Sequence, residues 1–182
     1  MIDQRPEPPV MRSFISYDVS SAPADSREIL AQTLEQFGRI PSPLGRLAVS
    51  PLALRSASSG LSAFEHGSLA ALEREVLAMT MGVKNGCHYC VAFHRRSLKM
   101  LAAPAHLSEA LERGAPFDSP RLEALRVFTL SLLEKTGDVS AEVWQQFLAA
   151  GFDRAAALEV VVGVAAYTLT TFANRLTQAP LD

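Results

Sequence analysis

Apolar residues recur along this chain at intervals of three and four, the spacing of one face of an α-helix, and no run alternates apolar and polar residues between hairpin turns. The pattern predicts an all-α chain of six to eight helices joined by short loops. From Ser26, read as an N-cap, Ile29, Leu30, Leu34 and Phe37 form a stripe that Gly38 ends. Pro41 to Gly45 reads as a connector. Ser50-Pro51 joins a cap to a first-turn proline and opens a stripe of Leu54, Ala57, Leu61 and Phe64, with Gly60 as its weak point. Ser68 caps a third helix whose inward face is Leu72, Val76, Met79 and Val83, with Glu75 beside it, and Lys84-Asn85-Gly86 stops it. The next helix runs from about Cys87 to Leu101, ahead of Pro104, with Cys87, Cys90 or Val91, His94, Leu98 and Leu101 inward. His106 to Arg113 is a short helix closed by Gly114. Ser119-Pro120 then starts a stripe of Leu122, Leu125, Phe128, Leu132 and Leu133. Ser140 opens a short helix through Val143, Trp144, Phe147 and Leu148, and Asp153 caps a last long one ending near Leu176.

Residues 1–24 are rich in Pro and Ser without a period, and read as an extended arm long enough to lie across a neighbouring subunit; residues 25–182 read as one domain. With 182 residues the chain can bury a core without disulfide or metal staples. The apolar segment from Ala155 to Ala173 contains Glu159 and several threonines and lacks aromatic belts, so it reads as a core or subunit-interface helix and not as a membrane span. Seventeen Lys and Arg against nineteen Asp and Glu, interspersed, give a net charge of -2 and favour neither nucleic acid nor an anionic membrane. The first residues lack the basic, apolar and small-residue order of a signal peptide, which predicts a cytoplasmic protein.

That compartment changes the meaning of the only two cysteines, Cys87 and Cys90, because C-x-x-C in a reducing environment points to redox chemistry or metal binding. Both fall in the stretch Glu75 to His94, EVLAMTMGVKNGCHYCVAFH. A thiol of ordinary pKa, roughly 8.5, is mostly protonated at neutral pH, and the thiolate is the nucleophile. The start of the helix after Asn85-Gly86 supplies unpaired N–H groups and a positive dipole end at both cysteines. Lowering a thiol pKa by two units takes about 2.7 kcal/mol of preferential thiolate stabilisation, within reach of that dipole plus a nearby imidazolium. His94 follows Cys90 by one helical turn on the same face. In an antiparallel hairpin about Lys84 to Gly86, with about 1.5 Å of rise per residue, Glu75 lies roughly 13 Å from the turn, His94 roughly 10 Å and Cys90 about 5 Å. Glu75 is therefore placed to orient or charge the imidazole, and the imidazole to serve the thiol. Glu73 points to nearly the opposite side of its helix and stays a second candidate.

Each residue alone has a plainer reading: buried small hydrophobes for the cysteines, a satisfied core histidine for His94, a solvated carboxylate for Glu75. His88, Tyr89, His66 and His106 read as packing or surface residues, Met79, Met81 and Met100 as core fillers, and Trp144 as a helix anchor. Two other chemistries fit the cluster. One is zinc bound by Cys87, Cys90 and His94 with Glu75 or His66, which lacks a second closely spaced ligand pair. The other is dithiol exchange with a disulfide substrate, which needs the same pair as peroxide reduction. Val91-Ala92 after Cys90 excludes c-type haem attachment.

The pattern E-x11-C-x2-C-x3-H, realised as Glu75, Cys87, Cys90 and His94 in an all-α chain of this size, resembles the AhpD-like alkylhydroperoxidases of the carboxymuconolactone decarboxylase superfamily, and more narrowly their peroxidase-related branch. The resemblance is strong over Leu61 to Ala103 and reaches the ending YTLTTFANRLTQAPLD. It implies an AhpD-like helical bundle that reduces alkyl hydroperoxides without metal, haem or flavin. Cys90 is then the attacking thiol, Cys87 the resolving thiol, and Glu75 with His94 the proton relay. It further implies a thiol or protein reductant and a homo-oligomer, a trimer or hexamer. A histidine sometimes found immediately before the second cysteine of the family is Tyr89 here, with His88 one residue earlier. Members that act as lactone decarboxylases typically lack the cysteine pair.

Overall fold

Prolines and small polar residues set where these helices begin, and left-handed glycines set where several end. A computed structural model describes residues 14–182 and folds them into nine α-helices, with no strand among the described residues: α1 Ala24–Phe37, α2 Ser42–Leu47, α3 Pro51–Glu65, α4 Ala71–Lys84, α5 His88–Met100, α6 Ala105–Arg113, α7 Pro120–Glu134, α8 Ala141–Ala149 and α9 Arg154–Thr177. Ser50, Ser119, Ser140 and Asp153 cap α3, α7, α8 and α9, each accepting a backbone N–H three residues on. Gly38 and Gly114 close α1 and α6 with positive φ, as their places in the sequence predict.

Three local readings change. The connector Pro41 to Gly45 is mostly the short helix α2, with proline in its first turn, so the described residues form nine helices and not six to eight. Ser26 does not cap α1; the helix starts two residues earlier, and the buried Ser26 hydroxyl donates to the Ala48 carbonyl (2.8 Å). Nor does Ser68 cap α4. Its N–H and hydroxyl both donate to Glu159 Oε2 of α9 (2.7 and 2.9 Å), while Glu73 Oε2 accepts the Ala70 N–H (2.8 Å) at the start of α4. Leu34, Phe37 and Leu101, assigned to inward faces by spacing, are exposed.

The centre is α4, where every residue from Val76 to Gly82 is buried, as expected of a helix with neighbours on all sides. Helices α5, α7 and α9 pack directly against it. The largest apolar cluster joins Phe64, Leu77, Met81, Leu125, Phe128, Phe147 and Val160, drawing together α3, α4, α7, α8 and α9. Trp144 packs at its edge, its ring centroid 6.1 Å from that of Phe128. A second cluster, Val76, Met79, Leu98, Leu107 and Leu111, fastens α5 and α6 to the other side of α4. Burying each such side chain contributes about 1.5–3 kcal/mol.

Helix α9 lies along α3 and α4, closely enough at Gly163 that an added Cβ would stand 2.6 Å from the Phe64 ring. By length and composition it is the one helix among those described that could cross a membrane, yet one of its faces is packed into the core. Its other face leaves Leu158, Val161, Val162, Phe172 and Leu176 exposed. Of the arm expected over residues 1–24, residues 1–13 lie outside the described residues. The remainder packs on its own chain: the Tyr17 N–H donates to the Gly45 carbonyl (3.0 Å), and Ala22 is buried in a cluster with Leu30, Leu47 and Leu54.

Candidate active site

The α4–α5 hairpin presents the cysteines at the start of α5. Cys87 is the N-cap, its sulfur accepting the Cys90 N–H (3.3 Å), and Cys90 sits in the first turn. The turn before them is held from α9: Asn85 Nδ2 donates to Thr171 Oγ1 (2.9 Å), and Arg175 Nη1 donates to the Asn85 carbonyl (2.7 Å). Gly82 lets α4 come up against Cys90, because a Cβ there would lie 3.1 Å from the Cys90 Cβ.

Both cysteines are buried, and their sulfurs lie 2.7 Å apart. Asn174 Nδ2, reaching in from α9, is 3.4 Å from the Cys90 sulfur and 3.8 Å from that of Cys87. Together these donors favour one thiolate. The Cys90 S–H, donating to Cys87, does most to lower the Cys87 pKa to about 6, against burial and with help from the Cys90 N–H, the Asn174 amide and the charge of His94. Cys90 is displaced upward, first because its proton is held in that same hydrogen bond and then because it is buried. The pair therefore holds a single readily lost proton, and these contacts favour Cys87 as the site of the anion.

Glu75 and His94 meet across the hairpin, with His94 Nδ1 2.8 Å from Glu75 Oε2. His94 is buried, its ring edge-on to Phe93 and Tyr167 at centroid distances of 5.2 and 5.3 Å. With Nδ1 directed at the carboxylate, Nε2 is the ring nitrogen left for proton exchange. The other carboxylate, Glu73, is committed elsewhere: Arg121 Nε donates to it (2.6 Å) and it receives the Ala70 N–H.

Cys90 and His94 line a cleft of about 220 Å³ walled chiefly by apolar side chains, among them Leu44, Leu61, Phe93 and Tyr167. Tyr89 and Arg39 border it and are both tied to Asp182, whose Oδ2 accepts from the Tyr89 hydroxyl (2.6 Å) and pairs with Arg39 Nη1 (3.0 Å). Burial, and then that carboxylate, push the Tyr89 phenol well above its ordinary pKa, so it stays a donor. His66 and His106 are exposed, and among the described residues no group of three or more His, Cys, Asp or Glu is arranged to hold a metal ion.

Sequence reasoning missed Asn174, Tyr167 and Gly82. Asn174 and Tyr167 stand seven residues apart, two turns along one face of α9, and the sign in the sequence was a carboxamide within a mostly apolar helix.

The model of the carboxymuconolactone decarboxylase family matches residues 53–129, a segment that spans α4, α5 and the cysteine pair. Over that segment the chain is similar to the carboxymuconolactone decarboxylase family. Its fold is that of solved AhpD-like chains. A peroxidase-related protein from Ralstonia eutropha, described as an alkylhydroperoxidase AhpD core, superposes with a TM-score of 0.81 at 20% identity, over 93% of this chain and 91% of the other. A peroxidase-related protein from a Silicibacter species gives 0.76 at 18% identity, over 94% and 93%. A protein of unknown function from Agrobacterium tumefaciens gives 0.60 at 15% identity, over 73% and 94%. No curated protein matches the sequence.

Proposed function

We propose that this protein is a thiol peroxidase that reduces alkyl hydroperoxides through Cys90 and Cys87. The observation that carries the reading is the cysteine pair with one sulfur on an apolar cleft shared with His94, and the Glu75 carboxylate behind that imidazole. The resting anion on Cys87 does not face the cleft, so attack begins with transfer of the Cys90 proton to Cys87 across the 2.7 Å contact. The Cys90 thiolate then attacks the terminal oxygen of the hydroperoxide, forming an S–O bond as the O–O bond breaks. One oxygen is bonded to sulfur as a sulfenic acid, and the other departs as alkoxide and takes a proton through His94. Cys87, having returned its proton, attacks the sulfenic sulfur; the S–S bond forms and water leaves. The balance is two thiols and one hydroperoxide to one disulfide, one alcohol and one water.

The apolar walls favour an organic hydroperoxide over hydrogen peroxide. The exposed apolar face of α9 supports a homo-oligomer, and the reducing cytoplasm expected from the sequence would keep the pair reduced between turnovers. Intact mass after one equivalent of an organic hydroperoxide tests the scheme: the wild type loses two hydrogens, Cys90→Ser consumes no peroxide, and Cys87→Ser gains oxygen and stops after one turnover. Multiple turnovers in both variants, or turnover of a model disulfide far faster than that of hydroperoxide, would overturn it.

A further inference from the structure

The two sulfurs open onto different clefts. Cys90 lines the apolar cleft described above, which Cys87 does not reach. Cys87 lines a second cleft of about 360 Å³ with Gly86, His88, Arg175 and Gln178, which Cys90 does not reach. Tyr89 and Asn174 border both and divide them. Asn174 is buried, and its Oδ1 has no hydrogen-bond partner, so the divider offers an acceptor that the protein does not fill. None of the described residues lining the second cleft is acidic, whereas Arg175 and His88 stand in it. Arg175 uses one N–H on the Asn85 carbonyl and has others to give.

We propose that the second cleft is the reductant site: a small thiol carrying a negative charge binds there beside Arg175 and attacks Cys87, while hydroperoxide uses the opposite cleft at Cys90. The proposal rests on the dithiol cycle of the preceding section. A thiolate displacing one sulfur of a disulfide must approach in line with the S–S bond, from beyond the sulfur it attacks. For Cys87 that approach lies on the side away from Cys90, and the second cleft reaches Cys87 without reaching Cys90. The incoming thiolate bonds to the Cys87 sulfur, the Cys87–Cys90 bond breaks, and its electron pair leaves on Cys90, which takes up a proton. A second thiol then attacks the reductant sulfur of the mixed disulfide and releases Cys87 as thiolate. Two reductant thiols end as one disulfide, and both cysteines are restored. The stabilised anion at Cys87 makes it a good leaving group in this last step. With separate clefts, alcohol product at Cys90 does not obstruct the reductant.

The test starts from protein oxidised with diamide, so that it does not depend on peroxide. Absence of a Cys87–Cys90 disulfide after diamide would sink the dithiol cycle itself, and this site with it. With the disulfide in place, re-reduction is followed using 3-mercaptopropionate, 2-mercaptoethanol and cysteamine, which are anionic, neutral and cationic. The wild type should favour the anionic thiol, and added salt should narrow the difference. Relative to the neutral thiol, Arg175→Glu should slow the anionic thiol roughly tenfold and speed the cationic one, and Arg175→Lys should keep the wild-type order. Equal effects on all three thiols would overturn the proposal. A readout that needs no variant is the wild-type mixed disulfide formed with limiting 3-mercaptopropionate, quenched with N-ethylmaleimide and mapped by fragmentation. An adduct on Cys87 supports the site, and one on Cys90 refutes it.

Discussion

Cys90 keeps its proton because the sulfur 2.7 Å away is the better-stabilised anion. The consequence for reactivity has a definite sign. With the Cys87 pKa lowered to about 6, the pair should lose its first proton near that pH and carry one thiolate above it. Alkylation of the reduced protein by iodoacetamide should therefore rise through a midpoint near pH 6 and level off before the roughly 8.5 at which a free thiol titrates. Stability should follow the same window. A group whose pKa is depressed on folding contributes stability that is fully present above its unfolded value and is lost as pH falls through its folded value. The melting temperature of the wild type relative to Cys87→Ser should thus rise between about pH 6 and pH 9, and a difference constant across that range would contradict the assignment. Glu75 acts one contact further out, as a positioning residue on His94. Glu75→Gln should lower the rate with organic hydroperoxide roughly a hundredfold and leave the alkylation midpoint near that of the wild type. An equal fall in both would mean that Glu75 serves only the packing of the hairpin.

Among the elements, two glycines decide how near the helices come. At Gly82 a methyl group would press on the Cys90 Cβ from 3.1 Å, so Gly82→Ala should retain helical content while slowing peroxide reduction, measured by circular dichroism and turnover together. At Gly163 the obstacle is the Phe64 ring, itself buried, and Gly163→Ala should cost about 1–3 kcal/mol in urea unfolding. The helices themselves were legible in the sequence because serine caps, first-turn prolines and terminal glycines are local signals. The meeting of Glu75 with His94 was legible for a related reason, since a tight turn and helix rise fix the level at which two residues of a hairpin stand. Contacts that depend on a distant helix were not. The carboxylate of Glu159 takes the Ser68 hydroxyl that reads as a cap, and Asn174 reaches the sulfurs across more than eighty residues, where no spacing rule applies. The short helix α2 was hidden by its prolines, which mark a helix start and a connector alike.

On the scale of the molecule, α9 has two occupations. One face carries Tyr167, Thr171, Asn174 and Arg175 towards the reactive turn, and the other exposes Leu158, Val161, Phe172 and Leu176 along one stripe. If that stripe joins copies of the chain, Leu158→Glu with Phe172→Glu should give a monomer in sedimentation velocity, whereas an unchanged sedimentation coefficient would place the contact elsewhere. The hold of α9 on the Asn85 turn bears on where the chemistry resides. A fragment cut to residues 53–129 would carry both thiols, the imidazole and its carboxylate, but neither the amide that faces the sulfurs nor the guanidinium and hydroxyl that fasten the turn. Its cysteines should titrate like those of an unstructured peptide. The reactive pair is thus not a transferable cassette, and grafting the hairpin onto another scaffold would carry the letters without the acidity.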